Sequence, residues 1–362
     1  MPGNCYLPPC IIKANHQLTL FMKSPFFTSD EEKIIKQEAP KAEEIGRFTD
    51  AMLELCKTKK LFHLGVPKSM GGHEMPVLEQ IRFYEEASRL DGSFGWTVKL
   101  GASAGIFSGF MNREFAETIY SDPAAFTAGS GYPAGTAKPT DGAYLVSGTW
   151  KYASGIDHAT VFTANCVVNR EDSNPDEPEI RAMAFLHDEI EKLDTWNGYG
   201  LRASASHNFK VENVIIPEER TFTLAPKPDH ADKTLYHFPY MAYAPAALSS
   251  SMLGMTEAFL DETAHHTDKT EILEEARSVL NEHRTALHDT VQQLWHECED
   301  STEPDPKSIE QVDTVAKKLA QICRDTAADI YKLGGMKVLD ESSRYNRTWR
   351  DLMTAGQHTM LL

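Results

Sequence analysis

The residues able to do chemistry are thinly spread along this chain. Ser154 closes the alternating run AYLVSGTWKYAS, with Gly155 beside it, so its hydroxyl belongs to a strand end and on its own caps the turn. His358 ends the run Met353-Thr354-Ala355-Gly356-Gln357-His358. A neutral imidazole can take or give a proton near neutral pH, although a lone helix histidine is ordinarily structural or solvated. Arg202 and Ser204 lie in Gly200-Leu201-Arg202-Ala203-Ser204-Ala205-Ser206. There a guanidinium can neutralise a phosphate or order the loop through an ion pair. His265-His266, with Asp261 and Glu262, reads as a polar helix end, and no metal site is expected because neither HExxH nor HxxEH occurs. No GxGxxG follows a strand, so a nicotinamide cofactor is not indicated.

Three zones must position these residues. Over residues 1–121 the chain is mainly helical. Thr28-Ser29-Asp30 starts a helix whose first turn is acidic, and Pro40 is expected to break or kink it. GVPKSMGG, residues 65–72, is a turn-rich loop, Val77 to Leu90 an amphipathic helix, and SFGWTVKLGASAGIFSGFM after Gly92 a buried helix rich in small residues. Residues 122–225 change character: AYLVSGTWKYAS, TVFTANCVV, AMAFLHD and HNFKVENVIIP are β-rich, Asp141-Gly142 marks a turn, and residues 169–180 form an acidic loop. This zone is expected to be an antiparallel sheet. Residues 226–362 return to helix, with Leu273, Leu280, Leu287 and Leu294 every seventh residue. That spacing suits the core of an antiparallel bundle better than a coiled-coil partner site. STEPDPK, residues 301–307, separates two of its helices.

Composition narrows the function classes. The 362 residues are 41% hydrophobic and 25% charged, ordinary for a globular protein and enough for two or three packed regions. A net charge of −17 repels phosphate backbones, which argues against nucleic acid as a partner. No run approaches a membrane span, and the first 27 residues lack the apolar core of a signal peptide; a strapping segment is the expectation. Cysteines at 5, 10, 56, 166, 298 and 323 form no CxxC pair, so reduced thiols in the cytoplasm are expected.

Three motifs, in order, add a resemblance. Gly148, Trp150, Tyr152, Ser154, Gly155, His158 and Ala159 spell G-x-W-x-Y-x-S-G-x-x-H-A, preceded by Pro133-Ala134-Gly135-Thr136-Ala137. Trp196, Gly200, Leu201, Arg202, Ser204, Ser206, Val214 and Pro217 form a second pattern. Gly334-Gly335 and then Arg347, Arg350 and Asp351 in R-x-x-R-D form the third. Together they resemble the acyl-CoA dehydrogenase fold superfamily. The closest likeness is to its two-component flavin monooxygenases, which hydroxylate aromatic or heteroaromatic substrates and end in R-D-x-x-T-A-x-Q-H.

The resemblance implies an α+β, acyl-CoA dehydrogenase-like fold: an N-terminal helical domain, a central antiparallel β-domain and a C-terminal four-helix bundle. It implies a homotetramer that takes reduced flavin, FAD or FMN, from a separate flavin reductase and uses O2 on a small organic substrate. Ser154 would face flavin N5, Tyr152 or Trp150 would cover the ring, and Arg202 and Ser204 would contact the cofactor. Gly334 and Gly335 would lie near the flavin of a neighbouring subunit, and His358 would be the active-site histidine. Departures are Ala203 in place of a glycine and the absence of a histidine in TVKLGASAGIF, the run after Gly95-Trp96. With Leu362 four residues past His358, a more open site mouth is expected. Two other readings remain: an acyl-CoA dehydrogenase whose displaced base is Glu257 or Asp261, since no carboxylate follows Asp351, and a non-catalytic scaffold of the same fold.

Overall fold

The structure is a computed structural model and describes residues 26–170, 174, 176–225, 232–300 and 303–362. The proposed strap before Phe26, Cys5, Cys10 and part of the acidic loop lie outside the described residues. The first helix, α1 (Ser29–Ile45), begins with a capping box: Thr28 Oγ1 accepts from Glu31 N, and Glu31 Oε2 accepts from Thr28 N at 2.7 Å. Pro40 does not end it. The ring sits on the exposed face, so the carbonyl that loses its partner turns to water, and the helix runs on to a left-handed cap at Gly46. After α2 (Asp50–Thr58) come α3 (Val77–Leu90) and α4 (Gly92–Gly105), joined at the single residue Asp91, whose Oδ1 accepts from Phe94 N at 3.0 Å.

Helix α4 is buried on almost every side because its glycines admit neighbours: a Cβ on Gly95 would lie 2.2 Å from Ser88 Oγ, and one on Gly92 2.7 Å from Asp351 Cβ. A short helix, α5 (Arg113–Tyr120), leads into the sheet.

The strands are β1 (Thr127–Thr140), β2 (Ala143–Ala153), β3 (Val161–Val168), β4 (Ile180–Phe185), β5 (Glu191–Leu193), β6 (His207–Pro217) and β7 (Thr221–Phe222), ordered β5-β6-β2-β1-β3-β4-β7. The sheet is mixed, not wholly antiparallel. β1 and β2 form a hairpin through Asp141-Gly142, with Gly142 at φ 65°. The chain then reverses at Ser154-Gly155 and passes to the far side of β1, so β3 runs parallel to β1 while the other pairs are antiparallel. Strand alternation reveals the elements but not this crossing.

The second helical region comprises α6 (Thr234–His237), α7 (Tyr240–Ala264), α8 (Thr270–Asp300), α9 (Pro306–Tyr331) and α10 (Arg344–Ala355). α7, α8, α9 and α10 form a bundle, and α3 packs along α7. Leu273, Leu280, Leu287 and Leu294 of α8 are all buried in this core. Fully burying one leucine contributes about 1.5–3 kcal/mol before entropy is counted.

Candidate functional site

Strand β2 delivers Ser154 to the edge of a buried hydroxyl chain. Its Oγ lies 2.6 Å from Ser206 Oγ, which lies 2.6 Å from Ser204 Oγ. The backbone closes the same corner, with Gly155 N donating to Ser204 O at 2.7 Å. Each serine has one proton to donate, and two of the three are used inside the chain. One hydroxyl donor is therefore left for a bound group. Ser206 belongs to the second motif but had no assigned role; the Ser-x-Ser spacing across Ala205 was the available signal. Ala205 occupies the left-handed region at φ 44°, as does Leu201 at φ 51°, a costly arrangement for residues with a Cβ, so the loop must be held from outside.

The R-x-x-R-D signature on α10 holds it. Asp351 Oδ1 accepts from Leu201 N at 2.6 Å, Arg350 Nη1 donates to Tyr199 O at 3.1 Å, and Gly200 N donates to Thr354 Oγ1 at 2.8 Å. Gly200 must be glycine here, since a Cβ would lie 2.1 Å from Arg350 O. Behind this contact, Arg350 Nη2 lies 2.5 Å from Glu43 of α1, and Arg347 Nε lies 3.3 Å from Asp91 Oδ2. Burial, with Asp91 nearby, raises the Asp351 carboxyl to about 8.

Two of the expected ring-covering residues separate. Trp150 is fully buried, stacks on Phe209 at 5.2 Å and donates from Nε1 to Asn165 O at 3.0 Å. Gly135 and Gly148 leave the room for its ring, so Trp150 is sheet core. Tyr152 is 65% exposed at φ 61° and meets Trp196 edge-on at 6.2 Å. Beside Trp196 a groove of about 370 Å³ is lined by Glu43, Asp157, Lys192, Trp196, Arg202 and His207, among others. Arg202 is partly exposed there, 3.8 Å from Glu43 Oε1, close enough for a weak ion pair only.

His358 sits against α4. Its ring meets Trp96 edge-on at 5.9 Å, and Nδ1 accepts from Met360 N at 3.3 Å. Burial, with Lys99 nearby, holds it down to about 4, so the neutral imidazole carries its proton on Nε2. Lys99 was missed by the motif reading. It is 3% exposed, its ammonium lies 4.5 Å over the Trp96 ring, and burial lowers it to about 7. The signal was a lone lysine in an otherwise apolar helical run.

Gly334 and Gly335 do not join these residues within the chain. Gly334 is covered by Tyr345, and Gly335, at φ 54°, is exposed beside Met336, which is 80% exposed. His158 of the first motif is a clamp: its Nε2 accepts from Phe48 N at 3.1 Å, joining sheet to helices. Glu257 is committed as well, with Oε2 at 2.5 Å from Arg277 Nη1 and Oε1 at 2.7 Å from Arg284 Nη2. Asp261 is paired with Arg89 and Arg277. Gly101 to Gly105 fits the Gly-x-Ser-x-Gly hydrolase spacing. It lies within α4, however, rather than at a strand-to-helix elbow, and Ser103 Oγ pairs with Tyr243 OH at 3.2 Å.

Residues 30–116 match the family model of the acyl-CoA dehydrogenase N-terminal domain, and residues 246–362 that of the C-terminal domain. The chain belongs to the acyl-CoA dehydrogenase superfamily. Within it, the chain is 24% identical over 329 residues to an indole-3-acetate monooxygenase of Pseudomonas putida, covering 86% of this chain and 83% of that protein. The HsaA monooxygenase of Mycobacterium tuberculosis has the same fold at a TM-score of 0.84 and 20% identity, over 92% of this chain and 91% of that one. XiaF from Streptomyces sp., in complex with FADH2 and glycerol, superposes at a TM-score of 0.81 and 20% identity, over 91% and 89% of the two chains. On α7, Glu257 and Asp261 are both paired with arginines.

Proposed function

We propose that this protein is the oxygenase component of a two-component flavin monooxygenase acting on a small organic substrate. The observation that carries this reading is the hydroxyl chain from Ser154 to Ser204, which has one donor to spare at a buried strand end. The residues present fit a flavin. Ser154 can hydrogen-bond the ring near N5, exposed Tyr152 can cover it, and Arg202 and Ser204 line its approach. Reduced flavin, FAD or FMN, supplies two electrons to O2 when bound. The overall reaction is substrate, O2 and reduced flavin giving hydroxylated substrate, water and oxidised flavin.

The protein's own part is positioning and proton control. His358 offers an Nε2–H to an oxygen on the substrate side, the Ser154 hydroxyl donates on the ring side, and the apolar packing around Trp96 excludes water. The relatives support this reading: XiaF holds FADH2, and the P. putida relative is named a monooxygenase of indole-3-acetate. A separate reductase as the electron source follows from the same reading, as does a cytoplasmic location. A homotetramer also belongs to it, with Gly334 and Gly335 facing a neighbouring subunit's flavin and the exposed apolar side chains Met336 and Leu339 beside them.

Anaerobic titration with reduced FMN and FADH2, followed by 18O2 and candidate aromatic substrates, tests the proposal. Tight binding of reduced flavin and one 18O atom in the product are expected. Bleaching of bound oxidised FAD by an acyl-CoA would make the protein a dehydrogenase, and failure to bind any flavin would make it a scaffold. Light scattering that shows a monomer at micromolar concentration would remove the tetramer.

A further inference from the structure

Lys99 has no structural task that explains its charge. It is 3% exposed on α4, and among the described residues no carboxylate lies within ion-pairing distance and no side chain accepts from it. A buried ammonium without an anionic partner is among the more costly groups a core can hold, and a methionine of similar length would fill the same space without that cost. The acidic side chains at the N-terminal end of this helix are occupied elsewhere: Asp91 by Arg347 and Phe94 N, and Asp351 by Leu201 N. What does surround Lys99 is suited to an aromatic guest. Trp96 lies one turn earlier on the same helix with its face toward the ammonium, and its other contact is His358, whose Nε2–H has no acceptor among the described residues. Two hydrogen-bond donors and one indole therefore lie together, and among the described residues no hydrogen bond or ion pair gives either donor an acceptor or anion.

We propose that Lys99 is the substrate-recognition residue beside Trp96 and that, with His358, it binds the negatively charged oxygen of a small aromatic molecule. This rests on reading the protein as a monooxygenase. The lowered proton affinity of Lys99 suits the role. A neutral amine can take the proton of an acidic substrate, the O–H bond breaking as the N–H bond forms, so that ammonium and oxyanion appear together as a pair. The negative oxygen can belong to a carboxylate or to a phenolate, and both present the same chemistry to Lys99.

Equilibrium binding to the full chain, measured without turnover, tests this. Indole-3-acetate is compared with indole-3-acetamide by calorimetry, and 4-nitrophenol is followed through its yellow phenolate band at a pH where it is mainly protonated. Wild-type protein is expected to prefer the acid over the amide by about tenfold or more, or to raise the phenolate band on binding. Lys99→Met should abolish whichever effect is seen, and Lys99→Arg should keep it. An effect confined to the first arm assigns a carboxylate, and one confined to the second assigns a phenolate. Lys99→Met should melt at the same or a higher temperature than wild type, because it removes an unpaired buried amine, and should bind reduced flavin as wild type does. If wild-type protein binds reduced flavin but shows neither effect, or if Lys99→Met retains it, Lys99 is not the recognition residue and the monooxygenase reading still stands. If no flavin binds while the anion effect is present, the monooxygenase reading fails and the anion site remains.

Discussion

The backbone N–H of Met360 points at Nδ1 of His358, 3.3 Å away. Accepting there fixes the neutral tautomer, so the face of the ring turned away from Met360 donates and does not accept. The free edge of His358 therefore presents an N–H donor and not a lone pair. The imidazole, held at about 4, should remain neutral throughout pH 5–8. Nitrogen-detected NMR should show an Nε2–H tautomer with no titration near the ordinary histidine value of 6.5. His358→Gln, which keeps an N–H donor, should retain more turnover than His358→Ala, for which a loss of about 10²-fold is expected. A protonation step near 6.5 in the His358 signals would defeat this assignment. Folding stability carries the same sign: the unfolded chain binds this proton more readily, so His358 contributes stability that is present above 6.5 and lost as pH falls toward about 4.

Ser206 is the shared partner of Ser154 and Ser204, so Ser206→Ala should act at both. Removing the middle hydroxyl leaves two buried hydroxyls unpaired, which costs about 1–3 kcal/mol. Reduced-flavin affinity and flavin-dependent turnover should both fall, whereas Ser206→Thr should restore much of each. Unchanged turnover in Ser206→Ala, measured beside its melting temperature, would remove the hydroxyl chain from the mechanism.

Arg350→Ala should unlock the loop from a distance. It strips the half-buried Glu43 of its nearest cation and Tyr199 O of a donor, and removing the buried partner of such a pair costs up to about 3 kcal/mol. The melting temperature should fall, and protease cleavage should appear first between Tyr199 and Ser206. Cleavage elsewhere would show that α10 does not anchor this segment.

Glu257→Gln separates the two oxidoreductase readings. Its carboxylate sits between Arg277 and Arg284, so the substitution should lower stability and leave flavin-dependent oxygenation near the wild-type rate. Loss of turnover with the melting temperature preserved would return Glu257 to the role of a base.

Much of this architecture is written in local pattern. The repeat of Leu273 to Leu294 and the span from Val77 to Leu90 follow from helical periodicity, and Asp141-Gly142 announces its hairpin. The parallel pairing of β1 with β3 is not local, because it depends on which side of β1 the chain crosses after Ser154. Pro40 leaves the helix unbroken for a different reason: its cost depends on whether the orphaned carbonyl faces water, which only packing decides. In the candidate site, Ser154, Arg202 and Ser204 stand out through the family resemblance of their motifs. Lys99 does not, since a lysine among apolar residues does not reveal whether its ammonium escapes to the surface. Here it stays inside.

The loop bearing Ser204 and Ser206 is made with the sheet, yet its fastenings, Arg350 and Asp351, are made far later, near the other end of the chain. A nascent polypeptide can pair its last strand at Phe222 while this corner is still loose. Competence to hold a ligand there is then reserved for a chain in which α10 has docked. A product stalled or cut before α10 should lack it, and ligand binding becomes a report on whether that helix has been made and has folded into place.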